Sequence, residues 1–171
     1  MQIELDKLEE HGGKFAHVYD VSELPLDDAE VRLLGPGEVS GRIRREGNEV
    51  VLRGKLEARL EVVCGRCLQP VELPISTEFT ERFVRAVSWA ADDQHELREE
   101  DLNLAVFDGE TIELDDLVRE ELLLAVPVNV LCSEDCEGLC PICGIDRNLK
   151  SCQCENKEID SRWQKLKHLR F

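Results

Sequence analysis

The sequence predicts an α+β fold, an antiparallel β-sheet covered by a helix, with cysteine knuckles clamping the C-terminal third. Three observations carry this expectation. Leu52, Gly54, Leu56, Ala58, Leu60, Val62 and Cys64 fall on one parity while Arg53, Lys55, Glu57, Arg59 and Glu61 fall on the other, the period-two pattern of a long strand with one buried face. Between residues 114 and 126, Leu117, Val118, Glu121, Leu122 and Ala125 share one helical face before Pro127 ends the pattern. Of the eight cysteines, two form Cys64-Gly-Arg-Cys67 and the other six fall between Cys132 and Cys154.

In chain order, residues 1–37 form a weakly patterned N-terminal segment. Ile3 and Leu5 alternate with polar residues in an edge-strand pattern, residues 9–13 break it, residues 15–25 fit no single element, and Gly35-Pro36-Gly37 supplies a turn. Residues 38–131 hold the sheet and the helix. Residues 39–46 form a strand that returns across Gly47-Asn48 into the long strand. Beyond Cys67, Val71, Leu73, Ile75, Thr77, Phe79 and Phe83 continue the alternation, which gives three successive antiparallel strands with Cys64 and Cys67 at the tip of the second hairpin. Residues 88–101 are acidic and aperiodic, the composition of a solvated loop. Asp108-Gly109, between residues 102–107 and 111–113, signals a further hairpin. The helix follows, with Asp115 and Asp116 complementing the positive end of its dipole. Residues 132–171 form the cysteine-rich part and a final short helix, capped by Asp160 or Ser161 and carrying Trp163, Leu166 and Leu169.

The cysteine spacing points to metal. Two cysteines separated by two residues can turn both sulfurs onto one ion, and a residue that tolerates positive φ after the second lets the turn tighten. Cys140-Pro-Ile-Cys143-Gly144 has this form, and Cys152-Gln-Cys154 lies near enough to complete a four-thiolate zinc site. Cys64, Cys67, Cys132 and Cys136 remain as a second set of four; Cys132 and Cys136 can instead serve the nearer site, because eight cysteines allow many pairings. One or two zinc ions are therefore expected, with Arg66 beside one set and Arg147 and Lys150 beside the other. No export signal or membrane-spanning apolar run is visible, so a cytoplasmic protein is expected, and in a reducing cytosol clustered cysteines favour metal over disulfides.

The formal net charge of −16 works against non-specific adhesion to nucleic acid or anionic membranes. Its distribution is uneven: residues 87–121 carry thirteen acids against Arg98 and Arg119, whereas residues 147–171 carry seven bases against three acids. Lys165, Lys167 and Arg170 on the final helix are the candidate partner-binding residues. Arg42, Arg44, Arg45, Arg53, Lys55 and Arg59 also gather on the first hairpin, with acids interleaved. Aromatic residues are only 5% of the chain and offer no stacking platform, so composition does not favour RNA reading. The histidines are dispersed, there is no phosphate-binding glycine loop, and four thiolates leave no open coordination position for water. No enzyme activity, small-molecule substrate or membrane partner is expected.

Cys64-Gly-Arg-Cys67-Leu68, the 112–127 segment, Cys136-Glu-Gly-Leu-Cys140-Pro-Ile-Cys143-Gly with Asn148-Leu149 beyond, and Asp160-Ser-Arg-Trp163-Gln-Lys-Leu166 together resemble the YceD family of large ribosomal RNA subunit accumulation proteins. That resemblance covers roughly residues 50–171. It implies a non-enzymatic factor in ribosome biogenesis that supports accumulation, processing or assembly of large-subunit (23S) ribosomal RNA, with that RNA or a ribosomal assembly protein as partner. Family members differ in how many distal cysteines they keep, and this chain has the full set. A zinc-thiolate redox switch and a protein-interaction scaffold stand as alternatives.

Overall fold

The computed structural model describes residues 1–5, 12–90, 104–108, 110–154 and 162. The final helix expected around Trp163, with Lys165, Lys167 and Arg170, lies outside the described residues, as does most of the acidic 88–101 stretch. The strands are β1 (Gln2–Glu4), β2 (Gly13–Tyr19), β3 (Val31–Leu33), β4 (Gly37–Glu46), β5 (Glu49–Val63), β6 (Pro70–Arg85), β7 (Leu104–Phe107) and β8 (Thr111–Glu113). The helices are α1 (Ala86–Ala90) and α2 (Leu114–Leu124). Ser88 thus belongs to a short helix rather than to the start of a loop.

Strand β5 is the spine. Its alternating side chains commit one face to the core, with Leu52, Leu56, Leu60 and Val62 buried, while Arg53, Lys55, Glu57 and Arg59 stay exposed. On one edge it pairs with β6 along its whole length, from Glu49 opposite Val84 to Val63 opposite Pro70. On the other edge it pairs first with β4 and then, further along, with β3. The β4–β5 turn is closed by Gly47 at φ +65°, the left-handed backbone that a two-residue hairpin loop needs. β2 adds outside β4, so strands from the weakly patterned N-terminal segment complete the sheet.

Two expectations are corrected here. The sheet is mixed, because β7 lies parallel to β6. The Asp108-Gly109 signal also does not join β7 to β8 as a hairpin, since β8 pairs with β1 in a separate two-stranded ribbon. Burial explains the choice: β8 sets Ile112 directly opposite Ile3, and both are buried, while β7 stacks Phe107 edge-on against Phe83 with ring centroids 6.1 Å apart.

The fold is sheet-rich with few helices. α2 inserts Leu114, Leu117, Val118 and Leu122 into the same core as Phe15, Tyr19, Leu52, Leu56 and Phe79, so helical cover is confined to eleven residues. It ends at Leu124, two residues before the expected limit. The Tyr19 hydroxyl donates to Asp115 Oδ1 at 2.7 Å and ties β2 to the first turn of α2. Burial works against the Asp115 charge, but the bonds from the Met1 amino group and Tyr19 outweigh it and hold this carboxyl below the usual range. Among the described residues, no helix is long and apolar enough to cross a membrane.

One row across the sheet fixes its packing. Phe15, Gly41, Gly54 and Phe79 face one another directly across β2, β4, β5 and β6. The two aromatic rings fill the space that the two glycines leave on the inner face. A Cβ at Gly41 would lie 2.3 Å from the Arg53 carbonyl oxygen and 2.5 Å from Phe15 Cζ. Gly41→Ala is therefore expected to cost about 1–3 kcal/mol, the usual range for overpacking a core. An unchanged urea midpoint, at unchanged slope, would contradict this packing account.

Candidate metal centres

The β5–β6 hairpin ends in a knuckle that is legible residue by residue. Cys64 N–H bonds the Gln69 carbonyl at 2.8 Å, and Leu68 N–H bonds the Cys64 carbonyl at 3.0 Å. The reversal places Leu68 at φ +59°, a left-handed conformation unusual for leucine. The same turn recurs at Cys140-Pro-Ile-Cys143-Gly144, where Gly144 N–H bonds the Cys140 carbonyl at 2.8 Å and Gly144 sits at φ +72°. Two stretches far apart in sequence thus build one geometry. The glycine announces it in the second, and only the comparison reveals it in the first.

Each knuckle is completed by a second pair. The Sγ atoms of Cys64, Cys67, Cys132 and Cys136 lie within 4.8 Å of one another, and so do those of Cys140, Cys143, Cys152 and Cys154. A tetrahedron of sulfurs about 2.3 Å from a central ion has edges of about 3.8 Å. The Cys64–Cys136 separation is 3.8 Å and the Cys67–Cys132 separation is 3.6 Å, so this set is already at metal-binding size. All eight cysteines are free thiols. Each set can hold a metal ion.

Electrostatics inside the sets favours a cation. Backbone N–H groups of Cys67, Arg66 and Cys132 converge on Cys64 and pull its thiol down to about 6. Those of Cys143 and Ile142 pull Cys140 down to about 6 as well. Neighbouring sulfurs oppose further ionisation, Cys136 foremost in pushing Cys132 up to about 12 and Cys143 foremost in pushing Cys154 up to about 12. A first thiolate is stabilised and further ones are resisted, a conflict that a central divalent cation removes.

The sets differ in depth and in what they join. Cys64, Cys67 and Cys136 are buried under Val71, Leu131 and Leu139, with Cys132 exposed. This inner set clamps the chain beyond α2 onto the hairpin tip, where Gly65 N–H bonds the Val130 carbonyl at 2.8 Å and Leu139 N–H bonds the Arg66 carbonyl at 3.0 Å. The outer set is more open: Cys140 is buried, Cys152 and Cys154 are half-buried and Cys143 is exposed.

Three further residues knit the sets together. Arg66 donates to the Cys136 carbonyl at 2.8 Å, which braces the backbone and keeps its guanidinium beside the inner set. Arg147 does face sulfur, with Cys140 raising its pKa through a hydrogen bond. Asn148, marked in the sequence only as part of the family pattern, donates from its amide to Cys136 Sγ at 3.4 Å while its oxygen accepts from Glu137 N–H at 2.8 Å. A residue in the loop of the outer set therefore touches a ligand of the inner one.

These observations define the chain as a sheet-rich protein carrying two four-cysteine centres at the tip of its long hairpin. The family model described as "Large ribosomal RNA subunit accumulation protein YceD" matches residues 52–170, and the chain belongs to that family. An uncharacterized protein of Mycobacterium tuberculosis is 29% identical over 170 residues, covering 97% of this chain and 79% of its own. The uncharacterized protein YlbN of Bacillus subtilis is 24% identical over 167 residues, covering 97% of this chain and 92% of its own. No solved structure matches the chain.

Two outcomes test the site. Leu68 is 60% exposed, so Leu68→Gly loses little packing. Relief of a left-handed backbone worth roughly 1–2 kcal/mol exceeds the roughly 0.5–1 kcal/mol entropic cost of glycine, and a small net stabilisation is expected in urea unfolding. A loss of stability would contradict the strain. Cys143→Ser should remove one of two metal equivalents and leave sheet unfolding unchanged, whereas Cys136→Ser should remove one equivalent, weaken retention of the other and loosen residues 125–150 to protease. Identical digestion patterns for the two variants would contradict the clamp.

Proposed function

We propose that the protein is a non-enzymatic factor supporting the accumulation of large-subunit (23S) ribosomal RNA, through its processing or assembly, and that its two cysteine sets hold structural zinc. The observation that carries this reading is the family match over residues 52–170, a span that includes most of the long hairpin, α2 and both cysteine sets. Zinc suits four thiolates in a closed tetrahedron, and such a site leaves the ion no position for a substrate. Its role here is to hold chain, as structural zinc does. The site of action is the cytoplasm.

The partner in this reading is large-subunit ribosomal RNA or a ribosomal assembly protein, with the basic end at Lys165, Lys167 and Arg170 as one contact. A second reading has its own support. Exposure of Cys143 and partial exposure of Cys152 and Cys154 lets an oxidant reach the outer set, where peroxide would join two thiolates as a disulfide, itself be reduced to water, and release the ion. Zinc retained at physiological peroxide would remove that switch. A scaffold binding proteins alone would instead co-purify with protein partners and no RNA.

The deciding experiment is genetic. Deletion is expected to lower mature large-subunit RNA relative to small-subunit RNA, and reversing the charges of Lys165, Lys167 and Arg170 should reproduce part of the defect while leaving the sheet folded. A normal ratio in the deletion strain would remove the ribosomal reading.

A further inference from the structure

We infer that the outer face of the sheet, across β2, β4, β5 and β6, is a docking surface for the phosphate backbone of RNA. This rests on the ribosomal reading and names a contact within it, on a surface separate from the cysteine sets.

Register places cations where stability alone would not. Lys14 lies directly opposite Arg42, Arg42 opposite Arg53, and Arg53 opposite Thr80, so three cations and one hydroxyl form a line across four adjacent strands. Neighbouring strands lie about 4.8 Å apart, which makes this cationic row about 10 Å long. Like charges directly opposite one another destabilise a sheet, and three in a row are unfavourable unless an anion binds them. Arg44, two residues along β4 from Arg42, extends the row sideways on the same face.

The groups are also available. Lys14, Arg42, Arg44 and Arg53 are all exposed, and among the described residues none forms an ion pair or side-chain hydrogen bond. Their neighbours behave differently: Lys55 pairs with Glu57 and Arg82 with Glu49. Local acids were thus used on some cations of this face and not on the row. A groove of about 630 Å³ runs over Arg42, Arg44 and Arg53 but not Lys14, with Lys55 and the acids Glu46 and Glu78 also in its lining. Gly41, Gly54 and Phe79 also belong to its lining.

Charge complementarity selects the occupant. Among the described residues no large apolar side chain is exposed on β4, β5 or β6, and on β2 Val18 is a lone exposed one, so the contiguous apolar centre typical of a protein interface is missing. The face has no aromatic platform for stacked bases, so the contact is with the backbone and not with sequence. The overall charge of −16 does not forbid it. Charges beyond a Debye length of about 8 Å are largely screened at physiological salt, and the contact is governed by the local row.

The test uses the zinc-loaded full chain and a short fluorescein-labelled RNA hairpin, titrated by anisotropy. Four phosphate contacts predict a log–log salt slope of about −3 between about 50 and about 200 mM salt. Arg42→Glu with Arg53→Glu should lower affinity at least about tenfold and flatten the slope by about two. Arg42→Gln with Arg53→Gln should fall between, and both doubles should keep the native circular dichroism because their side chains are exposed. Wild-type protein that fails to bind the hairpin at the lower salt, or that prefers polyglutamate, overturns the inference, as does a double variant with native affinity and slope. The two readings fail separately. If the charge-reversed double restores normal large-subunit RNA in the deletion strain, the RNA face is overturned and the ribosomal role stands; if the deletion strain itself is normal, the role falls, and hairpin binding alone decides the face.

Discussion

The convergence of four sulfurs at the tip of the β5–β6 hairpin is the constraint on which the rest of the C-terminal architecture depends. Cys64 and Cys67 come from a turn between the two longest strands, and Cys132 and Cys136 from the chain just beyond α2. Bringing these pairs together fixes where the polypeptide goes after the helix. It also positions the segment from Leu139 to Asn148, whose backbone bonds to Arg66 and whose amide touches Cys136. The outer set is built on that platform, so the inner set is the more consequential of the two. Its burial strengthens the argument, since thiolates held away from water depend more on a cation than thiolates exposed to it.

The sheet divides labour between its faces. Inward, Phe15 and Phe79 lie over Gly41 and Gly54 and close the core with Tyr19 and the apolar side of α2. Outward, the same strands present Lys14, Arg42 and Arg53 in register. The glycines serve the inner face, where their missing side chains admit the two rings. An acidic chain can thus carry a local cationic surface, while its excess of acids lies largely in residues 87–121.

Much of this was legible in the sequence where a pattern was long. The period-two run through β5 and β6 located the hairpin, and the apolar stripe from Leu114 located α2 within two residues of its end. Short elements were not legible. β7 and β8 have four and three residues, too few to encode a partner, and Asp108-Gly109 suggested a hairpin that burial of Ile112 against Ile3 overrides. At the cysteine sets, spacing pointed to the ligands, but not to Leu68, which adopts without glycine the backbone that Gly144 adopts with it. Asn148 stood out only within the family pattern, because a single amide has no spacing that assigns it a contact. The cationic row was legible in part: the sequence gathers Arg42, Arg44 and Arg53 on the first hairpin, but Lys14 lies outside the patterned strands, and only cross-strand register shows it facing Arg42.

If both cysteine sets hold structural zinc as proposed, each is a closed four-sulfur centre, and the inner one holds the chain beyond α2 to the hairpin. X-ray absorption at the zinc edge, on protein purified without chelator, tests it most directly. The expected result is a single shell of four sulfurs at about 2.3 Å with no nitrogen or oxygen ligand. A shell containing nitrogen or oxygen, or the absence of bound zinc from protein whose thiols remain reduced, would contradict it.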